Sequence, residues 1–119
     1  MTLRDLGAYL WDIQHSAELV MRFVKGKTVQ DYLKDDLLRS GVERQLGIIG
    51  EAANQAVRHF PNIKQMISDL PKIIAFRNRL IHGYVEISDE VVWAIATEDV
   101  PKLRGEIEFM LADLPDTSG

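Results

Sequence analysis

Every periodic stretch of this chain has a helical period. Leu6, Leu10, Ile13, Ala17, Val20 and Val24 recur at spacings of three and four, which predicts an amphipathic first helix. Gly26, after Lys25, is placed to stop it. Thr28 is placed to cap a short turn holding Val29, Tyr32 and Leu33, with Asp31 at the capping-box position. A longer helix is predicted from about Asp36 to His59. Val42, Leu46, Ile49, Ala53, Ala56 and Val57 fall on one side of it, and Arg44, Glu51, Gln55 and Arg58 on the other. Its small residues Gly47, Gly50, Ala52 and Ala53 predict close approach of a neighbouring helix.

Pro61 and Pro71 each suit a first helical turn, with a short turn, NIKQMI, between them. The next helix is predicted to start near Pro71 and to end at Gly83. Ser88 has Val91 rather than an acid three residues on, but Asp89 and Glu90 favour a first turn through the helix dipole. That helix runs through Trp93, and Asp99 with Pro101 is predicted to restart the chain as a separate helix ending near Leu114. Residues 115–119 read as a disordered tail. An all-α, mostly antiparallel bundle of four to five helices follows, as one domain over residues 1–114.

Composition narrows the chemistry more than the fold. The chain has 119 residues and no cysteine, so disulfides, thiolate metal sites and cysteine nucleophiles are excluded. The start, MTLRDLGAYLWDIQ, lacks the apolar run of a signal peptide, and no window has the length of a membrane span. A soluble, cytoplasmic protein without membrane association is expected. Net charge is −4, which argues against bulk attraction to nucleic acid. Between Arg58 and His82, however, stand five bases and one acid, Asp69. That segment is either a solvated face or a local phosphate-holding surface.

One arginine sits on the wrong face. With Ile73 at zero and about 100° per residue, Phe76, Leu80, Ile73, Ile81 and Ile74 span an arc from about −60° to +100°. Arg77 falls inside that arc, whereas Arg79 and Lys72 lie on the far side. Asn78 and His82 share a column just beyond the arc's edge. Arg77 has three available arrangements: snorkelling along apolar surface, a buried pair with an acid such as Glu51 or Glu43, or a cleft in which an anionic ligand supplies the charge.

Arg77, Asn78, His82 and Tyr84 together spell R-N-x3-H-x-Y. With VERQLGIIGEAANQ upstream, and VVWAI and DVPKL downstream, the chain resembles the HEPN domains over about residues 3 to 113. The closest likeness is to the HepT-like branch found beside minimal nucleotidyltransferases in toxin–antitoxin pairs. The resemblance implies a homodimer whose motif helices share a cleft, a metal-independent endoribonuclease with no cofactor, and RNA (tRNA or mRNA) as substrate. It also implies a cognate nucleotidyltransferase antitoxin that silences the enzyme by adding AMP to Tyr84.

The residue chemistry agrees with that implication. RNA carries its own nucleophile in the 2′-hydroxyl, so a nuclease needs proton transfer and phosphate stabilisation. An imidazole, here His82, suits the first. A permanently charged planar fork, here Arg77, suits the second, with Asn78 touching either the phosphate or the imidazole. One chain offers a single His82, and in-line cleavage benefits from both an acid and a base, so two copies across an axis would complete the pair. This reading expects Arg77 to be held in a cleft without an internal carboxylate. Arg44 and Glu51, about 20° apart on their helix, are expected either to pair with each other or to line the groove. Two rivals stand beside it: a non-catalytic nucleotide-binding or docking partner of a nucleotidyltransferase, and a structural bundle whose Arg77 is sealed against Glu51 or Glu43.

Overall fold

The first three helix starts are set by short side chains that satisfy the first free backbone N–H groups. Thr2 accepts from the Asp5 N–H while Asp5 reaches back to the Thr2 N–H, and this capping box opens α1, Leu3–Val24. Gly26, with φ of 75°, turns the chain out of it. A second capping box, Thr28 with Asp31, opens the short α2, Val29–Lys34. Asp35 then accepts from the Leu38 N–H at 3.0 Å and starts α3, Asp36–His59. A computed structural model of the protein describes residues 2–82 and 87–114.

Beyond α3, Pro61–Met66 forms a 3-10 helix where the sequence predicts a short turn. α4 spans Leu70–His82, with Pro71 in its first turn as expected. The expected left-handed cap at Gly83 lies outside the described residues. α5, Asp89–Ala94, starts at Ser88 without a side-chain cap.

The expected break at Asp99 and Pro101 does not occur. The helix passes through a π turn over Ile95–Asp99 directly into α6, Val100–Asp113, and stays in the right-handed helical region at Ile95, Asp99 and Val100. Proline removes one N–H and crowds the carbonyl four residues back. A π turn, with its wider spacing, accommodates that crowding without ending the helix. The Thr97 hydroxyl donates to the Trp93 carbonyl at 2.8 Å in the same stretch.

The result is an all-α bundle with no strand among the described residues. α3 runs through its middle. Phe23 lies against Gly41, and Tyr9 stacks beside His59, so α1 runs antiparallel to α3. Arg77 lies against Gly50 and Leu80 against Gly47, so α4 is also antiparallel to α3. The core side chains predicted on α1 and α3 are buried, with Leu10, Ile13, Ala17, Val20, Val42, Ala53 and Ala56 at 0% exposure, except Val24 at the end of α1, which is half-buried. α6 covers the other side of α1. No described helix is long and apolar enough to cross a membrane.

Polar ties fix the first turn of α4. Glu106 accepts from the Ser68 N–H at 3.1 Å and from its hydroxyl at 2.5 Å, Lys72 reaches Asp99 at 2.7 Å, and Lys102 reaches Asp69 at 3.5 Å. The start of α4 is therefore held between α3 and α6. Its last turn lies against α3 through Leu80 at Gly47 and is open on its other side among the described residues. That explains the one clear failure of the predicted apolar arc: Ile81 is 60% exposed, whereas Phe76, in the doubly covered half, is 6% exposed.

Candidate nucleic-acid site in the groove of α1, α3 and α4

Gly50 determines how α3 and α4 meet. A Cβ built there would lie 2.3 Å from Arg77 Cβ and 2.8 Å from Arg77 Cγ. Those distances are far inside van der Waals contact, so only glycine lets the arginine stem lie across α3. The stem is thereby covered and the guanidinium is delivered to the edge of α3. A groove opens there, lined from α1 by Tyr9 and Asp12, from α3 by Arg44, Glu51 and Gln55, and from α4 by Arg77, Leu80 and Ile81. From Arg44 to Gln55 it is about 16 Å long by the helical rise.

The Arg77 Nη2 donates to Glu51 Oε2 and its Nη1 donates to Asn78 Oδ1 at 2.9 Å. Gln55 Nε2 donates to the other Glu51 oxygen at 3.2 Å. The expectation that Arg77 would lack an internal carboxylate is therefore wrong: Glu51 supplies one. The pair is not sealed, since the Glu51 side chain is 46% exposed and that of Arg77 21% exposed. At such exposure an ion pair contributes only about 0.2–1 kcal/mol, which a phosphate can displace. Nor does Glu51 saturate the fork, because the Arg77 Nε is buried with no hydrogen-bond partner among the described residues.

Arg44 does not pair with Glu51. It lines the same groove, exposed, and makes no ion pair among the described residues. Counting the charged groups along the lining gives Arg44 and Arg77 against Asp12 and Glu51, so one copy's groove is electroneutral. Replacing Glu51 by glutamine removes the internal competitor and tips the balance. Glu51→Gln is expected to bind single-stranded RNA about two- to fivefold more tightly, the factor corresponding to the weak pair it breaks. Weaker binding by this variant in a filter assay would assign Glu51 a supporting role instead.

Glu43, the other acid considered for Arg77, is elsewhere. It lies near Tyr32, Arg39 and Asp89, where burial and then the like charge of Asp89 push its carboxyl above the ordinary range. A raised acid holds its proton longer folded than unfolded, so stability falls as pH rises through the window above its usual value of 4.5. Glu43→Gln is expected to raise the melting temperature near neutrality. The gain should vanish at pH 4. An equal difference at both pH values would remove ionisation as the cause.

His82 is exposed and does not share the groove lining with Arg77. Five residues along a helix separate them by about 140° of rotation and 7.5 Å of rise. Asn78 touches Arg77 but is itself exposed on the flank. Tyr84 lies outside the described residues. One chain thus brings Arg77, Glu51, Arg44 and, through Arg77, Asn78 together; His82 lies around the helix from Arg77, in the same column as Asn78.

Tyr9 and Asp12 were not foreseen. They stand three apart on the flank of the α1 stripe, and only the antiparallel register of α1 against α3 brings them level with Gln55.

The model of the family described as Ribonuclease HepT-like matches residues 13–110. Among curated proteins, one from Methanocaldococcus jannaschii named "Putative RNase" is 36% identical over 114 residues, spanning 92% of this chain and 100% of that protein. A Thermococcus cleftensis protein named "Probable ribonuclease HepT" is 34% identical over 103 residues, spanning 84% of this chain and 90% of its own. No solved structure matches the chain.

Proposed function

The chain belongs to the Ribonuclease HepT-like family, and on that premise we propose that it is a metal-independent endoribonuclease acting as a homodimer. The observation that carries this reading is the groove arginine, whose one ion-pair partner among the described residues is a half-exposed, displaceable carboxylate, with the neighbouring Asn78 amide on its other nitrogen. Arg77 receives the scissile phosphate as Glu51 yields, and Arg44 extends the charged track.

The separation of His82 from Arg77 around α4 supports a site completed by a second copy. A two-fold axis beside Ile81, an exposed apolar residue at the motif end of α4, would cover that side chain and bring two imidazoles to one phosphate. One imidazole takes the 2′-hydroxyl proton as the 2′-oxygen bonds to phosphorus. The other donates a proton to the departing 5′-oxygen as its bond to phosphorus breaks. The products are a 2′,3′-cyclic phosphate and a 5′-hydroxyl.

In the cell this activity is that of a toxin paired with a minimal nucleotidyltransferase, which silences it by attaching AMP to Tyr84. The added phosphate places negative charge two residues beyond His82, where it competes with RNA for the arginines. Mass spectrometry of chain co-produced with such a nucleotidyltransferase is expected to place the adduct on Tyr84; an adduct elsewhere contradicts this regulation.

The test of the activity is cleavage of RNA in excess EDTA with analysis of the ends. Cyclic phosphate and 5′-hydroxyl ends at an undiminished rate are expected. Complete loss in EDTA, or 5′-phosphate ends, overturns the mechanism. The electroneutral groove keeps one alternative in view: a non-catalytic nucleotide-binding partner of the transferase. Saturable ATP binding without RNA cleavage would select it.

A further inference from the structure

The two ends of the groove differ in chemistry. Towards the motif end lie Arg44, Arg77 and the apolar Leu80 and Ile81. Towards the other end lie Tyr9, Asp12 and Gln55. Tyr9 is half-buried, and its ring is parallel to that of His59, with an interplanar angle of 6° and centroids 6.5 Å apart. The His59 ring flanks it, and among the described residues that line the groove it is the sole aromatic. Measured along the axis of α3, from Glu51 to His59, it lies about 12 Å beyond the arginine.

A polynucleotide entering this groove meets opposite demands on its two halves. Its phosphates are attracted to Arg77 and Arg44 and repelled by Asp12. Its bases are uncharged, and their amino groups can donate to Asp12 or to the Gln55 carbonyl. We propose that Tyr9 is the platform on which a nucleobase of single-stranded RNA stacks, on the side of the groove beyond the phosphate held by Arg77. This rests on the nuclease reading above and gives its site a base-binding residue. A base already paired in a duplex keeps both faces stacked and has none to offer a protein ring, whereas an exposed ring stacks any unpaired base with little sequence preference.

The experiment measures binding in the His82→Ala chain, so that RNA remains intact. The probes are a single-stranded oligoribonucleotide of mixed sequence, the same strand with one base at a time removed to leave an abasic sugar, and the strand annealed to its complement. With Tyr9 present, one abasic position is expected to weaken binding by about 5- to 100-fold, and the duplex to bind worst. In the Tyr9→Leu chain the intact and abasic strands are expected to bind alike, and Tyr9→Phe, which keeps the ring, should recover the discrimination. The Tyr9→Leu comparison counts only with a melting curve like the parent's and intact-strand binding that is still measurable; failing that, loss of discrimination in Tyr9→Phe, which keeps the ring, overturns the proposal. Discrimination retained in Tyr9→Leu, no abasic sensitivity with Tyr9 present, or duplex bound as tightly as single strand would each overturn the proposal while leaving the nuclease intact. Absence of both RNA binding and cleavage by the natural chain would instead overturn the nuclease reading itself, and this proposal with it.

Discussion

His82→Ala is expected to lower the rate of RNA cleavage by about 10²- to 10⁴-fold, the usual contribution of a positioned proton-transfer group. Arg77→Ala should lose a comparable factor, about 10²–10³, because it removes a preorganised charge from the phosphate. Neither change should unfold the protein. His82 is exposed, and substitutions at such positions usually stay within about 0.5 kcal/mol. Arg77→Ala deprives Glu51 of its partner, but Glu51 is half-exposed and recovers water in exchange. Loss of cleavage with an unchanged melting curve separates a working site from a structural ion pair. Arg77→Lys refines the distinction, since a lysine keeps the charge and loses the planar fork; cleavage should recover only partly. Full activity in either alanine variant would remove that residue from the chemistry.

The second large effect concerns Gly50. At an ordinary helix-interior site, glycine to alanine stabilises by up to about 1 kcal/mol. At position 50 the sign reverses. The methyl would meet Arg77 Cβ at 2.3 Å, an atom fixed by the backbone of α4 that cannot rotate away. α4 must slide off α3, which costs about 1–3 kcal/mol, or a fall of roughly 4–12 °C in melting temperature. The displaced guanidinium also leaves the phosphate position, and misplacement of about 1 Å can cost 100-fold in rate. Gly105→Ala is the control. It sits inside α6 with nothing within 4 Å of the added methyl, so it should stabilise the chain and leave cleavage untouched. Equal behaviour of the two variants would mean that the contact at Gly50 is not tight.

Much of this was legible because helices state their period openly. The stripes of α1 and α3, the Thr28 capping box and the stop at Gly26 are local, and each was found where its residues put it. The misplaced Arg77 was legible for the same reason: a wheel needs only one helix. What surrounds Arg77 was not. Glu51 was one of two acids in view, and choosing it over Glu43 requires the register of α4 on α3, which Gly50 sets. Tyr9 and Asp12 needed a further register, that of α1 on α3, and no short stretch of sequence carries it. Ile81 has an apolar wheel position, yet burial depends on a neighbour, and among the described residues none covers that side of the turn. Pro101 was read as a break, and the π turn absorbed it.

A chain without cysteine allows the shared site to be tested with one introduced thiol. Ile81→Cys, oxidised mildly after purification and run without reductant, should give a covalent dimer in high yield, because two copies are expected to meet at the motif end of α4. Phe109→Cys, 74% exposed on α6, should remain monomeric under the same conditions. A dimer in solution that Ile81→Cys fails to lock, with Phe109→Cys locking it instead, would place the two histidines apart and contradict a composite active site.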